Sequence, residues 1–277
     1  ERVNELNELN ELIRNPEVRC IMSTIGGTNS NSLLPYIDYD ALIKDPKILI
    51  GYSDVIAILL AVHAKTGLIT FYGPALVASF GELGPLVDMT HASFTEMLVN
   101  PASAPFTYSM PNFWSDEFIN WEEQERPKQQ RENQWLTVYP SKARGRVIGG
   151  NLNTMQGFWG SQYMPAVESG DILFIEDSMK DAATLERSFS FLKVNGVFDK
   201  VSGIILGKHE LFKDRGTGVR PYQILQEVLD GQELPFLADF DCSHTHPMFT
   251  LPIGVEIELD ATEKTVTILS DWCRSGM

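Results

Sequence analysis

The sequence has 277 residues, of which 43% are hydrophobic and 21% charged, which is enough for one large domain or two medium ones around a sizeable core. Its net charge of -15 and the lack of a basic cluster exclude a nucleic-acid polymer as partner and favour a soluble, cytoplasmic protein. No apolar run suits a membrane span, and three cysteines without C-x-x-C spacing argue against a disulfide framework or a zinc site.

The first hundred residues predict an alternation of helices and strands. Apolar periodicity indicates helices over residues 1–15, 38–44 and 55–64. Apolar runs indicate three strands: one over residues 19–23, one that ends at Gly51, and one over residues 68–72. This succession predicts a parallel α/β layer, in which ligands bind beyond the carboxyl ends of the strands. Both Ser53 and the pair Gly26 and Gly27 would lie at that edge.

Ser53 lies between a predicted strand and a predicted helix. A sharp turn at such a position pushes the hydroxyl clear of the backbone, beside the unpaired first amides of the helix. That environment suits an acyl-transfer nucleophile. Val55 stands where a G-x-S-x-G elbow has its second glycine, which disfavours an α/β-hydrolase. As an alternative, Ser53 or Asp54 merely caps the helix.

Two adjacent glycines, Gly26 and Gly27, follow the first predicted strand. Such a pair can let the backbone approach a ligand closely and present amides to it, but a simple glycine-bearing turn is the favoured explanation. Neither G-x-G-x-x-G nor a Walker sequence is present, so a phosphate-binding fingerprint is not supported.

Residues 101–142 differ in composition from the flanking sequence and predict a junction between two domains, 1–100 and 143–277. The segment is rich in aromatic residues, which form either a core under a long loop or a stacking surface for a ring. They are Phe106, Tyr108, Phe113, Trp114, Phe118, Trp121 and Trp135.

The second half again alternates strands and helices. Strands are predicted over residues 145–148, 171–175, 201–206 and 235–240, helices over 182–192 and 222–229, a turn over 149–154 and a terminal hairpin over 250–269. Glu176 and His244 each follow a predicted strand, on the same kind of edge as Ser53. Singly, each is explained as a helix cap or an ordinary loop histidine; together they are compatible with a Ser-Glu-His triad.

Three parts of the sequence resemble the LD-carboxypeptidase family of serine peptidases, namely residues 48–54, residues 173–177, and Ser243 and His244 followed by 250–254. Four further stretches resemble its microcin C immunity branch: residues 21–27, 71–76, 149–154 and 239–247. The family's first strand-helix-strand unit is missing before Glu1. If the molecule truly lacked it, we expect the first domain to lose a central part of its sheet.

The resemblance implies a role for each candidate catalytic residue. Ser53 is the nucleophile, His244 rather than His246 is the general base and acid, and Glu176 orients the imidazole. The amides of Asp54 and Gly27 form the oxyanion hole. The reaction is hydrolysis of an amide near a carboxyl end through an acyl-enzyme, without a metal or a cofactor.

The resemblance also implies substrate contacts. Asn153 and Lys180 match substrate-contacting positions, and Met179 replaces a residue that is basic in the immunity branch. The base of a peptide-nucleotide substrate stacks on an aromatic residue, with Trp121 the first candidate and Trp114 and Phe113 the next.

The fold implied by the resemblance is a Rossmann-like N-terminal domain with a parallel sheet and a C-terminal domain with a mixed or barrel-like sheet. The expected substrate is a microcin C-like peptidyl or aminoacyl nucleotide, which the enzyme detoxifies in the cytoplasm, and the expected assembly is a homodimer. One alternative is the trimming of murein tetrapeptides during wall recycling. Another is a catalytically silent protein that only binds a ligand in the same crevice.

Overall fold

The computed structural model describes residues 2 to 273. The helices are α1 Arg2–Arg14, α2 Tyr39–Lys44, α3 Ile56–Thr66, α4 Leu86–Phe94, α5 Leu152–Gln156, α6 Ala182–Val194 and α7 Pro221–Leu229. The strands are β1 Cys20–Met22, β2 Ile48–Gly51, β3 Thr70–Tyr72, β4 Phe106–Thr107, β5 Phe113–Trp114, β6 Arg131–Glu132, β7 Leu136–Tyr139, β8 Lys142–Asn151, β9 Ile172–Glu176, β10 Gly203–Gly207, β11 Phe236–Phe240, β12 Leu251–Ile253, β13 Glu256–Asp260 and β14 Thr265–Ile268.

The first sheet has four strands in the order β1-β2-β3-β12. Strands β1, β2 and β3 are parallel, as predicted, whereas β12 runs antiparallel to β3 and pairs Leu251 with Tyr72. The prediction of one hairpin over residues 250–269 is therefore wrong in its first part. Only β13 and β14 form the hairpin, and β12 crosses to complete the other sheet.

The second sheet has eight strands in the order β4-β14-β13-β8-β9-β10-β11-β7. Its centre, β8 to β11, is parallel, and antiparallel strands flank it on both sides. The predicted turn over residues 149–154 is wrong, because Gly149 and Gly150 continue β8 with φ values of 132° and 152°. A side chain on Gly149 would lie 1.9 Å from the carbonyl oxygen of Phe174, which explains the glycine. The α/β class is confirmed, with a largely parallel first sheet and a mixed second one.

The aromatic segment divides between core and surface. Strands β4 and β7 extend opposite edges of the second sheet, while β5 and β6 form a separate two-stranded ribbon. Trp135 and Tyr108 are buried in the core, whereas Phe118 and Trp121 are exposed. Each interpretation of the segment thus holds for different residues, and the boundaries at residues 100 and 143 remain a prediction.

Helix α3 lies between the two sheets and brings the Ser53 turn to their junction. Its residues are buried on nearly every side, and it contacts β2 and β3 of the first sheet and β8 of the second. The contact with β8 is close, since a side chain on Gly150 would lie 2.4 Å from the Ile56 side chain. The turn before α3 therefore faces the carboxyl ends of the central strands of the second sheet.

Candidate active site

The turn that carries Ser53 has an uncommon backbone. Tyr52 is extended, Ser53 has a φ of 59°, and a single 3-10 turn over Ser53–Val55 leads into α3. A positive φ at a residue other than glycine is uncommon and is typically found where the surrounding structure enforces it. Neither Ser53 nor Asp54 caps the helix, since Asp54 instead accepts a hydrogen bond from the Ser30 amide at 2.8 Å. The cap interpretation of this turn is therefore wrong.

The loop of Gly26 and Gly27 packs directly against this turn. A Cβ atom on Gly26 would lie 2.9 Å from the Ser53 Cβ and 3.1 Å from its Oγ, and one on Gly27 would lie 3.1 Å from an Asp54 carboxylate oxygen. No acceptor among residues 2 to 273 takes a hydrogen bond from the amide of Gly27 or of Asp54. Two backbone donors beside Ser53 are thus free to bind an oxygen atom.

Glu176, the last residue of β9, forms a direct pair with His244, which follows β11. His244 Nδ1 lies 2.7 Å from Glu176 Oε2, and the His244 amide also donates to that oxygen at 3.3 Å. The other carboxylate oxygen, Oε1, accepts hydrogen bonds from the Tyr72 hydroxyl at 2.5 Å and from Asn151 Nδ2 at 2.9 Å. The carboxylate is fully buried, and each oxygen has two donors.

This pair shifts the pKa values of both its members. Burial opposes the charged form of Glu176, but the charge and hydrogen bond of His244, with the bonds from Tyr72 and Asn151, outweigh it and hold the pKa of Glu176 below its usual value. Burial likewise opposes protonation of His244, but the charge of Glu176 outweighs it and raises the pKa of His244. Glu176 is therefore ionised at neutral pH, and it holds a proton on His244 Nδ1, which leaves Nε2 free to accept another.

Tyr72 connects the two halves of the site. It lies on β3 of the first sheet and is completely buried. Its hydroxyl donates to Glu176 and accepts a hydrogen bond from the Ser53 amide at 3.1 Å. The Ser53 amide therefore already has an acceptor, unlike the amides of Gly27 and Asp54.

Ser53 and His244 line one cleft of about 440 Å³, together with Gly27 and Trp121. No hydrogen bond joins Ser53 Oγ to His244 within the part of the chain described. Catalytic hydrogen bonds are often long in a site without substrate and tighten once it binds. The Tyr52 ring packs edge-on against the His244 imidazole with ring centres 4.8 Å apart, which holds the imidazole beside the Ser53 turn.

His246 also lines this cleft, but its chemistry differs from that of His244. It is buried, and its Nε2 lies 3.9 Å from Glu82, which forms a buried ion pair with Lys128. Burial and the nearby charge of Lys128 lower the pKa of His246 to about 4. Such a weakly basic imidazole is less suited than His244 to accept a proton from a serine.

Not every predicted contact residue lies in the cleft. Asn153 is exposed on α5, and Lys180 binds Asp177 and the Ser178 carbonyl, so neither lines the cleft. Trp114 lines a different cavity, of about 710 Å³, and its neighbour Phe113 lines neither. The structure thus brings Trp121, but not Trp114 or Phe113, to the Ser53 cleft, and all the assigned roles remain predictions.

Three residues of the site were not predicted from the sequence: Tyr72, Asn151 and Glu210. Tyr72 and Asn151 lie within stretches that carry the family resemblance, but nothing in their spacing shows that both bind Glu176. Glu210 lines the cleft and lies outside those stretches. Each owes its position to packing between segments far apart in the chain.

Metal-binding clusters and membrane-spanning helices are both absent from residues 2 to 273. No group of three or more His, Cys, Asp or Glu side chains there is arranged to hold a metal ion. Over the same residues, no helix has both the length and the apolar character that a membrane span requires.

Comparison with known families decides how the site is classified. The family models described as the LD-carboxypeptidase N-terminal domain and the LD-carboxypeptidase C-terminal domain match residues 2–73 and 144–259. The chain belongs to the LD-carboxypeptidase family. It is accordingly a hydrolase of the serine carboxypeptidase class, and the predicted resemblance is confirmed.

Within the LD-carboxypeptidase family, the chain is highly similar to several individual proteins. The chain is 59% identical over 267 residues to the microcin C7 self-immunity protein MccF of Escherichia coli, covering 96% of this chain and 78% of that protein. It is 55% identical over 268 residues to a putative carboxypeptidase of Vibrio cholerae, covering 97% and 80%. The solved structure of MccF with aspartyl sulfamoyl adenosine matches with a TM-score of 0.96 at 56% identity, covering 99% of this chain and 82% of the other.

Proposed function

We propose that this LD-carboxypeptidase hydrolyses the amide that joins an amino acid to a nucleotide in microcin C-like toxins, and so protects the cell that makes it. The similarity to a self-immunity protein supports this substrate, as does the match to a structure that contains an aminoacyl nucleotide analogue. The reaction would take place in the cytoplasm, and the enzyme would act as a homodimer.

The observation that carries the proposal is the cleft itself. Ser53 and the His244 imidazole, which is oriented by Glu176, face the same space as Trp121. Trp121 is 47% exposed and has no ring partner among the described residues. One cleft therefore offers both an acyl-transfer apparatus and an open aromatic face for a base.

The chemistry begins with the nucleophile. Ser53 Oγ attacks the amide carbonyl carbon while His244 Nε2 takes the hydroxyl proton, and Glu176 stabilises the imidazolium that forms. The carbonyl oxygen becomes an oxyanion, which the amides of Gly27 and Asp54 bind. Removal of one such donor typically costs about 100- to 1000-fold in rate.

The cycle then closes with the same residues. His244 returns its proton to the departing nitrogen, the carbon–nitrogen bond breaks, and the amino acid stays bound to Ser53 as an ester. His244 next takes a proton from water, whose hydroxide adds to the ester carbonyl. Collapse of that intermediate returns the proton to Ser53 Oγ and releases the free carboxylate.

Trp121 is proposed to set the preference for a nucleotide leaving group. Stacking of a base on an aromatic ring contributes about 1–3 kcal/mol and tolerates different bases. In this proposal Trp121 contacts the leaving group, while Ser53 and His244 act on the reacting carbonyl. A murein peptide has no base to place there.

Turnover of two substrates, followed by mass spectrometry, tests the proposal. One is an aspartyl nucleotide of the processed microcin C type, and the other is an L,D-linked murein tetrapeptide, with Ser53→Ala as the control. We expect cleavage of the nucleotide alone, abolished in the variant. Cleavage of the tetrapeptide alone would assign the enzyme to wall recycling, and cleavage of neither would leave a ligand-binding role.

A further inference from the structure

The second cavity, of about 710 Å³, lies where β10 and β11 end. In parallel sheets this edge is where ligands bind, and the volume is typical of a small-molecule site. No residue of the described chain, 2 to 273, lines both this cavity and the catalytic cleft. The two are neighbours, because His209 lines the cavity and Glu210, the next residue, lines the cleft. The cavity is therefore a separate place for a ligand, beside the active site.

Asp239 lines this cavity at an irregular point of β11. Consecutive residues of β10 pair with Ala238 and Phe240, so that Asp239 between them has no partner on that strand. Its φ is 61°, which is uncommon for a residue other than glycine. Bulges of this kind redirect a side chain and are frequent beside functional sites. The irregularity therefore marks Asp239 as a candidate ligand-binding residue.

The carboxylate of Asp239 lacks a partner. It takes part in no hydrogen bond and no ion pair within residues 2 to 273. Lys208 is close, but its ammonium binds the Asp241 carboxylate at 2.6 Å. Burial raises the pKa of Asp239, and the charges of Lys208 and Arg220 oppose that shift. A half-buried carboxylate is costly to keep charged, so a cationic group from a ligand would stabilise it.

Arg220 supplies an opposite charge at the same cavity. Its guanidinium forms no ion pair with any described residue, and it lies near enough to Asp239 to affect its pKa but too far for direct contact. Glu132, exposed on β6, is also unpaired. The other charged residues of the lining have partners within the protein: Arg131 with Asp116, Lys208 with Asp241, and Asp214 with the amides of Gly216 and Gly218. A ligand that carries both charges can span the gap between Asp239 and Arg220.

The cavity also has an apolar lining. It consists of four side chains that are each partly exposed, namely Leu136, Phe212, Val219 and Tyr222. The ring of Trp114 is already in contact with the cations of Arg131 and Lys208. Apolar surface that faces a cavity is stabilised when an apolar group covers it. A suitable ligand therefore combines an ammonium, a carboxylate and an apolar group.

We propose that this cavity binds a free amino acid with an apolar side chain, whose ammonium contacts Asp239 and whose carboxylate contacts Arg220. Both charged groups of an α-amino acid are attached to one carbon, which suits two opposite charges that are close without touching. The site lies outside the catalytic cleft, and the inference does not depend on which substrate the enzyme hydrolyses.

Titration of the native enzyme with L-phenylalanine, followed by NMR of the ligand, tests the assignment. Asp239→Asn keeps the size of the side chain, and asparagine tolerates a positive φ, so this variant should fold and weaken binding by about tenfold. Arg220→Gln should weaken it by only about threefold, because the guanidinium is exposed. L-alanine, which has no apolar group to cover the lining, should bind about tenfold more weakly than L-phenylalanine.

Two analogues of L-phenylalanine test each contact separately. Phenethylamine lacks the carboxylate, and hydrocinnamate lacks the ammonium. We expect Asp239→Asn to weaken phenethylamine but not hydrocinnamate, and Arg220→Gln to weaken hydrocinnamate but not phenethylamine. Equal weakening of both analogues by either variant would overturn the assignment of its contact.

Two control variants distinguish this cavity from the rest of the protein. Glu186→Gln removes a charge from the exposed face of α6, and Trp121→Ala alters the catalytic cleft. Neither should change the affinity for L-phenylalanine. Loss of binding in Trp121→Ala would place the ligand in the cleft and overturn the second site, as would failure of the native enzyme to bind L-phenylalanine. The proposed hydrolysis, measured with other ligands, stands under either result.

Discussion

The two halves of the active site are held by different kinds of structure. On the first sheet, the position of Ser53 depends on backbone geometry: a positive φ, and a glycine loop that leaves no room for a side chain. On the second sheet, the position of His244 depends on side-chain hydrogen bonds to a buried carboxylate. Steric changes should therefore damage the first half most, and changes of hydrogen-bonding chemistry the second.

Replacement of Glu176 by Gln should lower kcat by about 10⁴-fold, as the equivalent change does in a Ser-His-Asp triad. This is the largest effect that we expect. Tyr72 and Asn151 both donate to Oε1, so the amide oxygen of Gln takes that place and its NH2 group faces His244. The imidazole then carries its proton on Nε2 and cannot accept one from Ser53.

Steady-state kinetics would measure this loss, and Asp171→Asn supplies the control. Asp171 is a buried acid just before the other end of β9, where it binds Arg146. We expect Asp171→Asn to lower the melting temperature and to keep kcat. If Glu176→Gln kept kcat as well, hydrogen bonding to the buried carboxylate would not be what positions His244.

Gly26→Ala tests whether backbone geometry on the first sheet positions Ser53. The added methyl group would lie 2.9 Å from the Ser53 Cβ, and the displacement of the turn should lower kcat by about 100-fold. Gly84→Ala is the matched control, because its methyl group would meet nothing closer than a carboxylate oxygen of Asp88, at 3.4 Å. Similar rates for the two variants would show that the glycine loop does not constrain Ser53.

Tyr72→Phe tests the hydrogen bonds through which Tyr72 joins the Ser53 turn to Glu176. Loss of a hydrogen bond to a charged group should lower kcat by about tenfold with little change in KM. One donor to Glu176 is then lost, so more of the carboxylate charge acts on His244 and the acid limb of the pH profile should move to higher pH. A structural role alone would not move that limb.

Tyr108→Phe is the control for the link. Tyr108 is also a buried tyrosine, and its hydroxyl donates to the Thr250 carbonyl at 2.7 Å, away from the triad. We expect this variant to lose stability without any change in the pH profile. A shift of equal size in both variants would remove Tyr72 from the positioning of the triad.

The last prediction, of the smallest change, concerns how kcat/KM of the native enzyme depends on pH. Glu176 raises the pKa of His244 above its ordinary 6.5, and only the neutral imidazole accepts a proton. We therefore expect kcat/KM to rise with pH through a midpoint above 6.5 and to fall about tenfold per unit below it. In the Glu176→Gln variant the residual activity should show a lower midpoint, and an unchanged one would contradict the assignment of the shift to Glu176.

The sequence allowed the nucleophile turn to be predicted because its signals are local. An apolar strand, a serine and an apolar helix follow each other within about a dozen residues, and the strands that lead to Glu176 and His244 are equally continuous. The resemblance then assigned roles that spacing alone left open. Local sequence patterns were sufficient to predict an element wherever one continuous segment contained all of its defining residues.

Long-range packing accounts for what could not be predicted. The Tyr72 hydroxyl meets a carboxylate 104 positions away, and no periodicity encodes that contact. Gly149 and Gly150 resemble a turn, but they continue a strand because a neighbouring backbone approaches too closely for a side chain. Residues 250–269 alternate as one hairpin would, although the first strand belongs to the other sheet.

The crossing of β12 has a consequence for synthesis of the protein. The first sheet carries Ser53, yet its fourth strand, Leu251–Ile253, follows the central strands of the second sheet in sequence and pairs with the edge of β3, with Leu251 opposite Tyr72. On the ribosome, the nucleophile turn therefore lacks this neighbouring strand until β12 has been synthesised, long after β1, β2 and β3. His244 lies only a few residues before β12, so the general base and the last strand of the nucleophile's sheet are synthesised together.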